Sequence, residues 1–103
     1  MTYIAMNRFR IANIHKKDFI EIWQNRESYL EDVPGFKEFK LLEGSSQNNE
    51  TIFISHSLWE SQAAFDGWRT SEHFKKAHAQ ARAPKGTYLS HPQFEGFEVI
   101  LTE

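Results

Sequence analysis

The chain has 103 residues, a length that suits one domain spanning 1–103, and it carries nine Phe, three Trp and three Tyr. Its net charge of −2 gives no basic field for nucleic acid, and no aromatic–basic RNA-binding motif is present. The absence of cysteine excludes disulfides, thiolate metal sites and thiol nucleophiles. Because the sequence carries no signal-peptide pattern and no membrane-length apolar run, we expect a cytoplasmic protein without a membrane partner.

Residues 2–12 alternate between apolar and polar side chains and predict a first strand. The apolar row of this strand consists of Tyr3, Ala5, Phe9 and Ile11. Asn7 lies in the middle of that row, where a carboxamide needs partners for two N–H donors and one acceptor. Asn7 is therefore either a core amide that the protein satisfies or a polar group of a cavity whose ligand supplies the partners.

After the first strand, apolar residues recur every three or four positions instead of every two. This spacing predicts an amphipathic helix over 16–31, which Pro34 and Gly35 terminate. Its apolar stripe contains Phe19, Ile22, Trp23, Arg26 and Leu30. A cation on such a stripe either extends to solvent along its alkyl stem or binds a ligand carboxylate through two hydrogen bonds. Arg26 is a candidate for the second role.

Two further strands are predicted over 36–43 and 51–59, joined by a polar hairpin loop at 44–49. The second of these strands is apolar on both sides. Ile52, Ile54 and Leu58 point one way, and Phe53 and Trp59 point the other. Its pattern is that of a central strand.

The second helical region is interrupted. Ser61 is a plausible N-cap for a short helix with Ala64, Phe65 and Trp68 on one side, and Gly67 and residues 70–71 break this helix. A further helix follows, in which one face carries Phe74, Ala77, His78 and Ala81. Residues 84–86 end this helix, and a last strand is predicted over 94–101.

The resulting order, β-α-β-β-α-β, is that of a ferredoxin-like α+β fold with helices on one face of an antiparallel sheet. Two helices on one side leave the second apolar face of the sheet uncovered. An uncovered apolar face predicts a partner subunit, so we expect a homodimer in which two sheets close against each other.

His78 is unusual because it lies on the apolar stripe of its helix. It is either a core histidine bonded to a backbone carbonyl or a neutral imidazole that binds a metal or haem iron. No histidine pair with zinc-site spacing accompanies it, so a bound iron would take its other ligands from a macrocycle. Trp68, ten residues earlier, is either a core residue or a wall of the same pocket.

These residues together resemble the antibiotic-biosynthesis monooxygenase superfamily and, within it, the haem-degrading monooxygenases. The resemblance covers nearly the whole chain and rests on separated motifs. These are Asn7, Pro34-Gly35-Phe36, Trp59-Glu60-Ser61, Ala64-Phe65 with Trp68, and Ala77-His78. Asn, Trp and His at these positions match the triad that separates haem degraders from their relatives.

The resemblance implies a dimeric α+β barrel in which haem is both cofactor and substrate. His78 would be the proximal iron ligand, Asn7 a distal hydrogen-bond donor to dioxygen, and Trp68 the side chain that holds the porphyrin out of plane. Arg26 would approach a propionate. Dioxygen and electrons from an unidentified reductase or small-molecule reductant would then open the ring and release iron.

Two alternatives remain open at the level of sequence. A cofactor-free monooxygenase of the same superfamily would use Asn7 and Trp68 to orient a quinol or polyphenol. A non-catalytic haem carrier or sensor would bind haem without opening the ring.

Overall fold

Four antiparallel strands and the helices that cover one face of them form the core of this computed structural model, which describes residues 1–26, 29–71 and 83–103. In chain order the elements are β1 (Tyr3–Ala12), α1 (Lys16–Asn25), β2 (Phe36–Gln47), β3 (Glu50–Trp59), α2 (Gln62–Arg69) and β4 (Gln93–Glu98). Short 3-10 turns occupy Asn13–His15 and Leu30–Asp32. The strand order β2-β3-β1-β4 confirms the predicted ferredoxin-like α+β fold.

The predicted apolar row of β1 faces the helices. Its neighbours across the sheet are the inward residues of β3, with Phe9 opposite Phe53 and Tyr3 opposite Trp59. Two clusters of buried side chains form on this face, one around Trp59 and Phe65 of α2 and the other around Phe53 and Phe19 of α1. The alternation of β1 and β3 therefore decides which face of the sheet receives the helices.

The first helix is shorter than predicted. It ends at Asn25 rather than at residue 31, because Arg26 already has an extended backbone. Tyr29 then adopts a left-handed conformation, with φ of 59°, before the 3-10 turn. This change of direction buries Leu30 and Val33 in the cluster around Trp59, contacts that a continued helix would direct elsewhere. The burial of Leu30 and Val33 in the core thus overrides the helical spacing of apolar residues that predicted a longer helix.

The hairpin between β2 and β3 is tighter than predicted. The proposed loop at 44–49 reduces to Asn48 and Asn49, which have φ of 52° and 65° and form the two-residue turn. Strand β2 continues to Gln47 through an irregularity between Glu43 and Ser46. The last strand ends at Glu98 rather than at residue 101.

The turn before β2 fixes the start of α2. Gly35 has φ of +84°, and a β-carbon there would lie 2.5 Å from the Cβ of Ala64. The Gly35 carbonyl accepts a hydrogen bond from the Glu60 backbone N–H at 2.8 Å. The Ser61 hydroxyl accepts one from the Ala64 N–H at 3.1 Å, which confirms the predicted N-cap.

The opposite face of the sheet carries apolar side chains that no described helix covers. Leu42 and Phe97 are 39% and 48% exposed there. Ile4, Ile54 and Leu58 lie on the same face and are half-buried. We call this surface, made of Ile4, Leu42, Ile54, Leu58 and Phe97, the outer face.

The third predicted helix and its residue His78 fall within 72–82, outside the described residues. Among the helices of the described ranges, none is long and apolar enough to cross a membrane.

Candidate functional site

A cavity of about 240 Å³ lies between the inner face of the sheet and the two helical regions. Its walls are mainly aromatic and come from α1, β2, α2 and β4. They include Trp23, Phe39, Phe65, Trp68 and Phe94. A concave, largely aromatic cavity with a few polar side chains is the usual form of a site for a small organic ligand.

The floor of the cavity is polar. Asn7 of β1 lies opposite Ser55 of β3 in the strand register, and both side chains line the cavity. Ser55 is 7% exposed, and Asn7 is half-buried. Neither side chain makes a hydrogen bond with any residue that the structure describes. Within those ranges, the core does not supply partners for the Asn7 carboxamide.

Trp68 belongs to both the core and the cavity. Its ring centroid lies 5.4 Å from that of Trp59 and 6.1 Å from that of Phe65. It also lines the cavity. The two alternatives weighed for this residue are therefore compatible, since one side of a large ring can pack while the other faces an open space.

Arg26 places a desolvated cation at the cavity wall. Its guanidinium carbon lies 4.1 Å from the centroid of the Trp23 ring and 5.1 Å from that of Phe39, and these rings stack at 5.5 Å. No carboxylate of the described residues forms an ion pair with it. Burial lowers the pKa of Arg26 to about 10, so the side chain remains protonated at neutral pH. It can bind an acidic ligand group.

Ser55, Phe94 and Arg69 also line the cavity, and the sequence reasoning missed all three. Ser55 carried a usable signal, because the alternation of Phe53 and Trp59 puts it on the face of Asn7. Arg69 lies 5.9 Å from the Phe65 ring centroid and 3.6 Å from a carboxylate oxygen of Asp66. Its position depends on where α2 crosses the sheet, which no local pattern reveals.

A groove of about 320 Å³ lies beside the cavity. The two spaces share Trp23, Arg26, Leu30 and Phe39. These four residues therefore contribute to the walls of both spaces.

Three of the four predicted site residues, Asn7, Arg26 and Trp68, line one cavity. The fourth, His78, lies outside the described residues. Within the described ranges, no group of three or more His, Asp or Glu side chains is placed to hold a metal ion.

Comparison with known proteins relates this geometry to a family. The family model for antibiotic biosynthesis monooxygenase matches residues 2–80. A candidate antibiotic biosynthesis monooxygenase from Bacillus cereus has a similar structure, with a TM-score of 0.77 and 18% identity over 99% of this chain and 96% of that one. At this identity the likeness concerns the fold alone.

Two further structures differ in what they bind. The haem degrader MhuD from Mycobacterium tuberculosis, a structure with two haems in its active site, has a TM-score of 0.73 and 26% identity over 98% of each chain. SnoaB from Streptomyces nogalater, a cofactor-independent oxygenase, has a TM-score of 0.69 and 16% identity over 98% of this chain and 95% of that one. Since the family model spans well over half of the sequence, the chain belongs to the antibiotic biosynthesis monooxygenase family.

Proposed function

We propose that this protein is a haem-degrading monooxygenase that uses dioxygen and an external reductant to open the porphyrin ring and release iron. One observation carries the proposal. The Asn7 carboxamide has no hydrogen-bond partner among the described residues and faces an aromatic cavity that also contains Trp68 and the desolvated Arg26. The likeness to MhuD supports the same conclusion.

The described walls suit a flat, apolar and anionic group such as haem. Aromatic side chains can contact the ring faces. The protonated Arg26 can pair with an acidic substituent at the edge of the ring. His78, in the segment that the sequence predicts to be helical, would hold the iron.

Bound haem would supply the iron that activates dioxygen and the ring carbon that is oxidised. The protein would supply orientation. The Asn7 amide donates a hydrogen bond but releases no proton at physiological pH, so it can orient an oxygen atom in the cavity without acting as an acid. The Trp68 indole would limit the space available to a flat ligand, and Arg26 would orient it by pairing with an acidic substituent.

Haemin titration of the purified protein tests the proposal. We expect about one haemin per subunit with a shifted Soret band, then bleaching and iron release when ascorbate is added in air. His78→Ala should abolish iron ligation, whereas Asn7→Ala should retain haemin but lose turnover. Asn25→Ala, an exposed asparagine at the end of α1, is the matched control. A protein that binds no haemin would contradict the proposal.

Cofactor-free oxidation of a quinol or polyphenol is the second candidate, and the likeness to SnoaB favours it. The same aromatic walls could hold such a substrate, with Asn7 and Trp68 orienting it. Oxygen uptake with a quinol in the absence of haem would select this function. Stable haemin binding without bleaching would instead indicate a haem carrier.

We further propose that two copies associate through the outer face. This surface is apolar, and beside it the imidazole Nδ1 of His56 is buried without a hydrogen-bond partner among the described residues. An opposing subunit would remove the apolar area from water. Ile54→Glu should yield a monomer in sedimentation analysis, whereas Ile14→Glu, at a residue 85% exposed elsewhere, should leave the mass unchanged. A dimer that survives Ile54→Glu would refute this arrangement.

A further inference from the structure

We propose that Ser55 and Asn7 form a two-residue polar site on the cavity floor that binds a single oxygen atom. This atom belongs to a water molecule in the ligand-free protein and to a small oxygen-containing ligand in the complex. The inference deepens the proposed function and, for the complex, rests on it. It assigns Ser55 as a positioning residue.

The burial of Ser55 is the first observation. Its side chain lies on the inner face between Asn7 and Leu41 and is 7% exposed. The hydroxyl of a largely buried serine still needs a hydrogen-bond partner, because burial of the residue limits its contact with bulk water. No hydrogen bond joins it to a described residue, yet it lines the cavity. An atom inside the cavity is therefore the partner that the geometry allows.

Ser57, two residues later on the same strand, provides the contrast. It lies on the same face and is 8% exposed, but its hydroxyl accepts a hydrogen bond from the Trp59 indole N–H at 2.9 Å. It also donates to the Ala5 carbonyl at 3.4 Å. Both serines line the cavity, but only Ser57 has hydrogen-bond partners among the described residues.

The pairing with Asn7 makes the site specific for one atom. Residues directly opposite each other on antiparallel strands have Cβ atoms about 5 Å apart, so one oxygen atom between the two side chains can contact both. The Asn7 amide group donates, and the Ser55 hydroxyl either donates or accepts. A water molecule with two such polar partners satisfies the hydroxyl, and a ligand oxygen can take its place.

Crystal structures of the ligand-free wild type, Ser55→Ala and Ser55→Thr test the site without any cofactor. We expect one ordered water hydrogen-bonded to both Ser55 and Asn7. It should be absent in Ser55→Ala and retained in Ser55→Thr, which keeps the hydroxyl. A Ser55 hydroxyl bonded to another protein group, or a floor without this water, would overturn the inference whether or not the protein binds haem.

The infrared band of carbon monoxide on the reduced, haem-loaded protein tests the complex. Ser55→Ala removes a hydrogen-bond donor to the bound carbon monoxide, so its C–O stretch should move to higher wavenumber while its haemin affinity stays unchanged. Ser55→Thr keeps the hydroxyl and should show the wild-type band. A band that does not move would overturn the role of Ser55 in the complex. If the wild type binds no haemin, the proposed function fails, and the water in the ligand-free crystals alone decides the inference.

Discussion

Replacing Arg26 should separate recognition of an acidic ligand from packing in the cavity. The guanidinium lies against two stacked rings and has no carboxylate partner among the described residues, so its charge is available to a ligand. Arg26→Gln removes the charge while keeping a polar side chain of moderate length. Arg26→Lys keeps the charge but loses the planar fork that matches a carboxylate.

The expected magnitude follows from the environment of the guanidinium. A hydrogen bond to a charged group contributes about 1.5–3 kcal/mol, which corresponds to a roughly 10- to 150-fold change in affinity. Because Arg26 is only half-buried, we expect about 10-fold weaker binding of a dicarboxylate porphyrin to Arg26→Gln. The loss should be smaller for Arg26→Lys. Arg26→Gln should lower the free energy of unfolding by no more than about 2 kcal/mol, since the cation–π contacts with the Trp23 and Phe39 rings are lost.

Quenching of tryptophan fluorescence by metal-free protoporphyrin measures this affinity without any contribution from iron ligation. Its dimethyl ester is the decisive comparison, because the ester keeps the ring and removes the charges. The wild type should prefer the diacid, and Arg26→Gln should lose most of that preference. Arg10→Gln is the control, since Arg10 pairs with Glu50 at 2.8 Å and does not line the cavity. An equal loss of affinity for acid and ester would show that Arg26 acts through packing.

Three further predictions concern the scaffold. Ser57→Ala should lower the free energy of unfolding by roughly 1–3 kcal/mol, because it leaves the buried Trp59 N–H unpaired; a denaturant titration that matches wild type would contradict this. Gly96→Ala should lower the thermal midpoint, since a β-carbon there would overlap the Tyr3 hydroxyl, and an unchanged midpoint would contradict that packing. Burial raises the pKa of Tyr88, so the folded state keeps a proton that the unfolded state releases near pH 10. The stability that this group contributes is therefore present below about pH 10 and lost as the pH rises above it. Between about pH 9 and 11, the free energy of unfolding should fall less steeply with pH in Tyr88→Phe than in the wild type. The same pH dependence in both proteins would refute the assignment.

The alternation of apolar and polar residues in β1 correctly predicted which side chains of this strand face the helices. Because side chains of a strand alternate between faces, the row around Asn7 had to share a side, and the structure places that side under the helices. The N-cap at Ser61 was equally readable, because a short polar side chain can satisfy an exposed helix N–H locally.

The end of α1 was not readable in this way. The apolar period continued to Leu30, yet the chain leaves the helix at Arg26 and buries Leu30 through a 3-10 turn. That outcome depends on contacts with residues distant in sequence, and a local period contains no information about them. The same change of direction places Arg26 against Trp23 and Phe39 at the cavity wall.

By itself, the sequence determined the class of fold, the inward row of β1 and the identity of Asn7 as a polar residue out of place in that row. These follow from periodicity and from the cost of burying an amide, which are local properties. Only the tertiary structure decided that Asn7 lies opposite Ser55, which has no hydrogen-bond partner among the described residues, and that Trp68 and Arg26 line the same cavity. Strand register and helix crossing bring these side chains together, and both are set by the packing of the whole core.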